Sequence, residues 1–362
     1  MSNFMGKDGF QWFVGVVEDR GDPQKLGRVR VRCLGYHTEN ITDLPTSDLP
    51  WAHPMNPITS ATVSGVGQTP LGAVEGTWVV GFFQDGAECQ QPIIMGTLPG
   101  VPSGLPTKDA DKGFQDAVNA NYPKYVDEPD VNRLAVNNED NPHPILTLRK
   151  ADRTTSIGRA DFNPIDIGRA NVGAPISLEG DDGTKFDEPL TDYKANYPHN
   201  HVYETEGGHL KEFDDTVNAK RIHERHASGS GYEILNDGTK ITRVKQDNYD
   251  IITNDHFAHI QGKSSSTTDK GVRVFVNASA TASNDYTIQV GSNANVNIQV
   301  DKGDVNVVAT QGNVNMKAEN MNVDVTETFG VKCRTMNVEV NGTLKEIVTG
   351  ENTKTGKPIN LN

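Results

Sequence analysis

Residues 13–32 read Phe13-Val-Gly-Val-Val-Glu-Asp-Arg-Gly-Asp-Pro-Gln-Lys-Leu-Gly-Arg-Val-Arg-Val-Arg32. An apolar run, a turn and a strict alternation follow in quick succession. Phe10 to Val17 is an apolar strand candidate, and Asp19 to Gly27 has turn composition. Arg28-Val-Arg-Val-Arg32 alternates as a strand with one face buried does, which sets Arg28, Arg30 and Arg32 opposite Val29 and Val31. Further on, Gly76 to Phe83 and Pro92 to Gly96 supply two more strands. About five short strands joined by Gly-rich turns predict a small barrel or sandwich over 10–98. Trp12, Trp51 and Trp78, the chain's 3 tryptophans, all fall here and predict an aromatic core for this region.

Proline divides the rest of the 362 residues. Every proline but Pro358 lies at or before Pro198. Proline lacks a backbone donor and is excluded from internal sheet positions, so 199–357 reads as continuous hydrogen-bonded structure. Between 99 and 186 Pro, Asn, Asp and Gly are scattered without apolar periodicity. That composition predicts an extended linker, with a short helix at Asp109 to Asn121 and a short strand at Ile145 to Leu148 as its only regular candidates. Residues 187–285 read as a β-rich neck. From 286 to 362 aliphatic residues recur in alternating groups: Val296, Ile298 and Val300; Val305 and Val307; Val314 and Met316; Val323 and Val325; Val338 and Val340. The groups return every eight or nine residues with Gly, Asn and Asp between them. This is a short-period β repeat, expected of a β-helix. Each rung offers too few aliphatics for one chain to bury. The repeat therefore predicts a homotrimer whose chains pool these side chains in a common core.

The formal net charge is −14. It argues against general binding to nucleic acid or anionic membrane, which needs basic patches. No apolar run approaches the ~20 residues of a spanning helix. The N-terminus lacks an apolar signal core, so Sec export is not expected. Cys33, Cys89 and Cys333 are too scattered for a disulfide framework or a cysteine zinc site.

Histidine is the chemically suggestive residue type, with His199, His201, His209, His223, His226, His256 and His259 crowded into one stretch. His199-Asn-His201 sets two imidazoles on one strand face, and a threefold axis would gather them around a transition metal. Such a spacing without partners more often makes ordinary hydrogen bonds, so neither a metal nor any other cofactor is expected. Acidic pairs such as Glu204 and Glu206 or Asp214 and Asp215 read as solvated. Gly-x-Ser-x-Gly, P-loop and His-Glu-x-x-His motifs are absent, and Gly65-Val-Gly67 lacks the third glycine of a dinucleotide fingerprint.

Phe13 to Arg32, continued by Leu49-Pro-Trp-Ala-His-Pro-Met-Asn-Pro-Ile-Thr-Ser-Ala61 and Gly72-Ala-Val-Glu-Gly-Thr-Trp-Val-Val-Gly81, resembles the N-terminal OB-fold of the cell-puncturing central spike in T-even-type phage baseplates. Tyr197 to Thr216 and Arg221-Ile-His-Glu-Arg-His-Ala-Ser-Gly-Ser-Gly-Tyr-Glu233 resemble the start of that spike's C-terminal part, and also VgrG spikes of type VI secretion. The resemblance implies an all-β chain: an OB-fold seated on a baseplate hub, then a trimeric β-helix needle capped by a PAAR-type tip protein. It implies a virion location and mechanical contact with the host envelope. The T-even spike carries a lysozyme domain between OB-fold and needle. Here that interval, 99–186, has no muramidase constellation, and acids such as Asp109, Asp111, Asp116, Glu128 and Asp130 sit among turn formers, so no catalysis is expected. Arg28, Arg30 and Arg32, basic in an acidic chain, are the expected hub contacts. The rival readings are a VgrG-like spike of a secretion or extracellular injection particle, and a reduced cell-wall hydrolase.

Overall fold

The computed structural model describes residues 9–69, 72–105, 111–116, 119–137, 177–179, 185–268, 270–276, 285–353 and 355–356. The possible strand at Ile145 to Leu148 lies outside them. Five strands close the N-terminal barrel: β1 (Trp12–Asp19), β2 (Val29–Cys33), β3 (Trp51–Pro54), β4 (Trp78–Phe83) and β5 (Pro92–Thr97). Their order is β1-β2-β3-β5-β4, antiparallel throughout except for the parallel β3–β5 pair. Alternation fills the interior with Phe13, Val17, Val29, Val31, Cys33, Ala52, Val79, Phe83 and Ile94. Burial pushes the Cys33 thiol up to about 12, so it behaves as a small apolar group. The expected tryptophan core is corrected here. Trp12 is 50 % and Trp78 42 % exposed, because both lie on the outer face of their strands.

After β5 the chain returns across the barrel. Residues 111–116 and 119–121 form turns and bends rather than the helix expected there. They make a strap: Ile41 N–H donates to the Asp111 carbonyl, Gly113 N–H to the Glu39 carbonyl, and Phe114 N–H to Glu18. Asp116, expected to be solvated, is buried and accepts from the peptide N–H groups of Asn119 and Asn121. A four-residue helix, α1 (Arg133–Val136), ends this segment, capped by the Asn132 side chain accepting from Leu134 N–H. A small hairpin follows, β6 (Ser177–Glu179) with β7 (Lys185–Asp187).

The neck is one antiparallel sheet of β8 (Asn200–Glu204), β9 (Leu210–Asp214), β10 (Arg221–Arg225), β11 (Gly231–Ile234) and β12 (Lys240–Arg243), in sequential order. Leu134, Tyr193, Ala195 and Leu210 form a small apolar cluster against it.

Residues 258–362 make a second unit. Among its described residues no strand finds a partner within the chain. Its aliphatics stand exposed, Ile298 at 76 % and Met316 at 74 % for example.

Candidate functional site

Alternation does set Arg28, Arg30 and Arg32 on the outer side of β2, yet each meets a partner in its own chain. The Arg28 guanidinium lies 2.7 Å from Asp22, whose carboxyl it holds well below the usual carboxylate range, and Asp22 also accepts the peptide N–H groups of Gln24 and Leu26. Arg30 donates to the Ser47 and Leu49 carbonyls and stacks 4.4 Å from the Trp51 ring centroid. Arg32 is fully buried. It pairs with Glu18 at 2.7 Å and donates to the Thr38 and Leu44 carbonyls. The strap explains this burial. Gly113 lies so close that a Cβ there would stand 2.2 Å from Arg32 Nε and 2.9 Å from a Glu18 oxygen. Arg32 is thus a tie between barrel and strap, not a free surface cation.

The exposed feature of the barrel is apolar. On the outer face of β1, β4 and β5, Trp12, Trp78 and Met95 stand exposed, with Val14, Val80 and Ile93 half-buried between them and Phe82 buried beside Trp12, as the pairings Trp12↔Phe82, Val14↔Val80, Val16↔Trp78 and Phe82↔Ile93 require. Phe10 extends the patch, its ring centroid 4.8 Å from that of Trp12. A contiguous aromatic and aliphatic face of this kind marks a contact surface.

The neck sheet is inverted relative to an ordinary half-buried sheet. Its covered face carries Asn200, Glu212, Asp214, Arg221, His223 and Glu233, all buried. Arg221 reaches Glu212 at 2.6 Å and Glu233 at 3.1 Å, and stacks on the Tyr193 ring. His223 Nδ1 lies 2.6 Å from the second Glu212 oxygen, and Asn200 donates to the first. The uncovered face carries Phe213, Ile222 and Ile234 in one row, with Tyr203 and Tyr232 in the next. His201 stands exposed on that face. Among the described residues no group of three or more metal-ligating side chains gathers, at His199 and His201 or elsewhere.

Burial alone would raise the Glu212 carboxyl, but the His223 hydrogen bond and the Arg221 charge outweigh it and hold Glu212 below its ordinary value. A carboxylate depressed in the fold adds stability that is complete above its unfolded value of about 4.3 and is lost as pH falls through the folded value. Neck stability should therefore be flat near neutrality and fall in acid. Glu212→Gln should lower stability at pH 7 and flatten the acid slope. Denaturant titrations at pH 7 and pH 3 check this, and an unchanged slope in the variant would refute it.

Barrel, strap and neck meet at the β8–β9 turn. Glu206 accepts from Arg20 at 2.6 Å and from the Tyr122 hydroxyl at 2.9 Å, and Glu204 accepts from Asn132. Beneath these polar contacts the Leu134 carbonyl accepts from both Tyr193 Oη at 2.7 Å and Asn200 Nδ2 at 3.1 Å.

Comparison with known proteins agrees with this layout. Residues 36–161 match the Gp5 N-terminal OB domain family. The chain is 38% identical over 287 residues to Protein Gp5 of Vibrio phage KVP40, a match covering 72% of this chain and 63% of that protein. It is 43% identical over 125 residues to the pre-baseplate central spike protein Gp5 of Enterobacteria phage T4, covering 33% of this chain and 21% of that one. The chain thus matches less than two thirds of the length of either relative.

Proposed function

From this kinship with the Gp5 proteins of two phages, we propose that the chain is the central spike of a contractile-tail baseplate. The observation that carries the reading is the match to a named pre-baseplate central spike together with a barrel that fits the OB domain of that family. The spike acts mechanically. Sheath contraction drives the tube, and the needle concentrates force on a small area of the host envelope.

The chain works as a homotrimer. Two features support this. Val296, Ile298, Val300, Val305, Val307, Val314, Met316, Val323, Val325, Val338 and Val340 all stand exposed among the described residues, and the neck sheet turns its aromatic and aliphatic row outward. Three chains wound together would bury both and give 286–362 the neighbours that a β-helix needs. Light scattering of the purified protein should give three times the 39.4 kDa chain mass, and electron microscopy a thin rod with a wider head. A stable monomer at micromolar concentration, or a featureless globule, would defeat the reading.

The apolar outer face of β1, β4 and β5 is the proposed seat on the baseplate hub, in place of the arginine row. Arg28 and Arg30 remain at the margin of that proposal, and Arg32 leaves it. A separate PAAR-type protein caps the needle. The chain has no muramidase activity, and the strap serves to bind barrel to neck. Purified peptidoglycan should release no reducing sugar on incubation with it. Sugar release abolished by mutating a carboxylate in 99–186 would favour the cell-wall hydrolase instead.

A further inference from the structure

The longest run of this chain without Asp, Glu, Lys or Arg is 49–74, and the next is 89–107. The fold lays one against the other, because the first holds β3 and the second holds β5. His53 pairs with Ile93 and Pro54 with Ile94, and the Met55 N–H donates to the Ile94 carbonyl at 2.8 Å. Ala52 and Ile94 point into the barrel, so alternation turns Met55 and Met95 outward together. Met95 belongs to the apolar outer face of the barrel. Met55 carries that face onward into the loop after β3, described over residues 55–69.

Along this loop Ile58 is fully exposed, Val63 and Val66 are about two-thirds exposed and Met55 about half. Single exposed aliphatics are ordinary, but several on one short uncharged loop mark a contact. The loop also has a fixed form. Ser60 N–H donates to the Pro57 carbonyl and Val66 N–H to the Val63 carbonyl, each at 2.8 Å. The Ser60 hydroxyl accepts from Gln68 N–H at 2.8 Å, which closes the loop at its base. Gly67 permits that closure: its φ is +119°, and a Cβ there would stand 2.5 Å from Ser60 Oγ. Thr62 and Ser64 have φ of +46° and +51°, a region that a β-branched residue in particular seldom enters. Backbone kept in such regions concentrates at functional sites. A loop fixed before it binds loses little conformational freedom on docking.

We propose that this loop is a finger of the hub contact: Ile58, with Val63 and Val66, enters an uncharged apolar cleft of the baseplate hub, beside the seat formed by β1, β4 and β5. The proposal rests on the reading of the chain as a hub-docked spike. An uncharged finger strands no ion in such a cleft, and it continues the face that the hub is proposed to cover. A lipid surface is the poorer fit. Segments that lie among headgroups combine Lys or Arg with Trp or Phe, and residues 55–69 contain none of the four.

Surface plasmon resonance of the full-length protein on immobilised hub protein tests the proposal. Ile58→Ser should weaken binding about tenfold, the loss of a buried interface anchor. The loss should be equal in low and high salt, because the loop has no charge to screen. Ile58→Leu should bind within about twofold of the wild type. Ile58 is fully exposed in the free chain, so near-ultraviolet circular dichroism should show the native fold in both variants. Trp78→Asp, on the seat itself, separates the two readings. If it weakens binding and Ile58→Ser does not, the finger is overturned and the hub seat stands. If the wild type does not bind hub protein, both fall. Sedimentation with phosphatidylethanolamine–phosphatidylglycerol vesicles that Ile58→Ser abolishes would give the loop to lipid and overturn the proposal.

Discussion

Glu18→Ala is expected to cost the barrel about 3–5 kcal/mol, the loss typical when one partner of a buried ion pair is removed. Glu18 accepts two hydrogen bonds from Arg32, one from the Thr46 hydroxyl and one from Phe114 N–H. Truncation strands a fully buried guanidinium with carbonyl partners but no counter-charge, and it unfastens the strap at Phe114. Against a total stability of about 5–15 kcal/mol for a domain, such a loss is large. Replacing both partners with apolar residues, Glu18→Leu with Arg32→Leu, should recover much of it, because desolvating two charges is itself expensive. Urea unfolding followed by tryptophan fluorescence reports on the barrel directly, since all 3 tryptophans lie in it. A single-variant loss below about 1 kcal/mol, within the range of exposed pairs, would refute the account.

Trp78→Asp should weaken binding to the hub by about thirtyfold or more, the effect of losing an interface tryptophan worth about 2 kcal/mol. Trp78 and Trp12 lie on the same outer face, one near each end of the β1–β4 pairing. Both are about half exposed, so the substitution also removes intrachain packing, and a thermal melt checks that the barrel is folded at the assay temperature. Surface plasmon resonance on immobilised hub protein measures the change. Full affinity in both Trp78→Asp and Trp12→Asp would remove this face from the docking surface. Charge reversal at Arg30 tests the rival face. A stronger effect there than at Trp78 would restore the arginine row.

The barrel strands were legible because strand period and turn chemistry act locally. Val29 and Val31 point inward as the alternation demands, and Phe13, Val79 and Ile94 follow the same rule. The tryptophans misled for a definite reason. In β1 and β4 both faces are apolar, so a period of two cannot distinguish core from contact surface. Arg32 misled because its cover, Gly113, comes from a segment far along the chain that has no pattern of its own. The neck was hardest to read. Glu212, Arg221, His223 and Glu233 look like a solvated face until Tyr193 and Leu134 are seen across them. In the sequence the strap reads as linker because its contacts are mainly backbone hydrogen bonds, which leave little trace in side-chain composition.

The inverted neck sheet also bears on how the protein is made. A lone neck buries Glu212, Arg221, His223 and Glu233 and turns Phe213, Ile222, Ile234 and Tyr203 to its uncovered face, so it is stickier than the acidic composition suggests. In the proposed trimer its apparent stability should rise with protomer concentration, because assembly would draw the folding equilibrium forward by mass action. Chains released near one another during translation would pair these faces before stray surfaces could. Dilute refolding, by contrast, would lose protein to aggregates even where each barrel closes correctly.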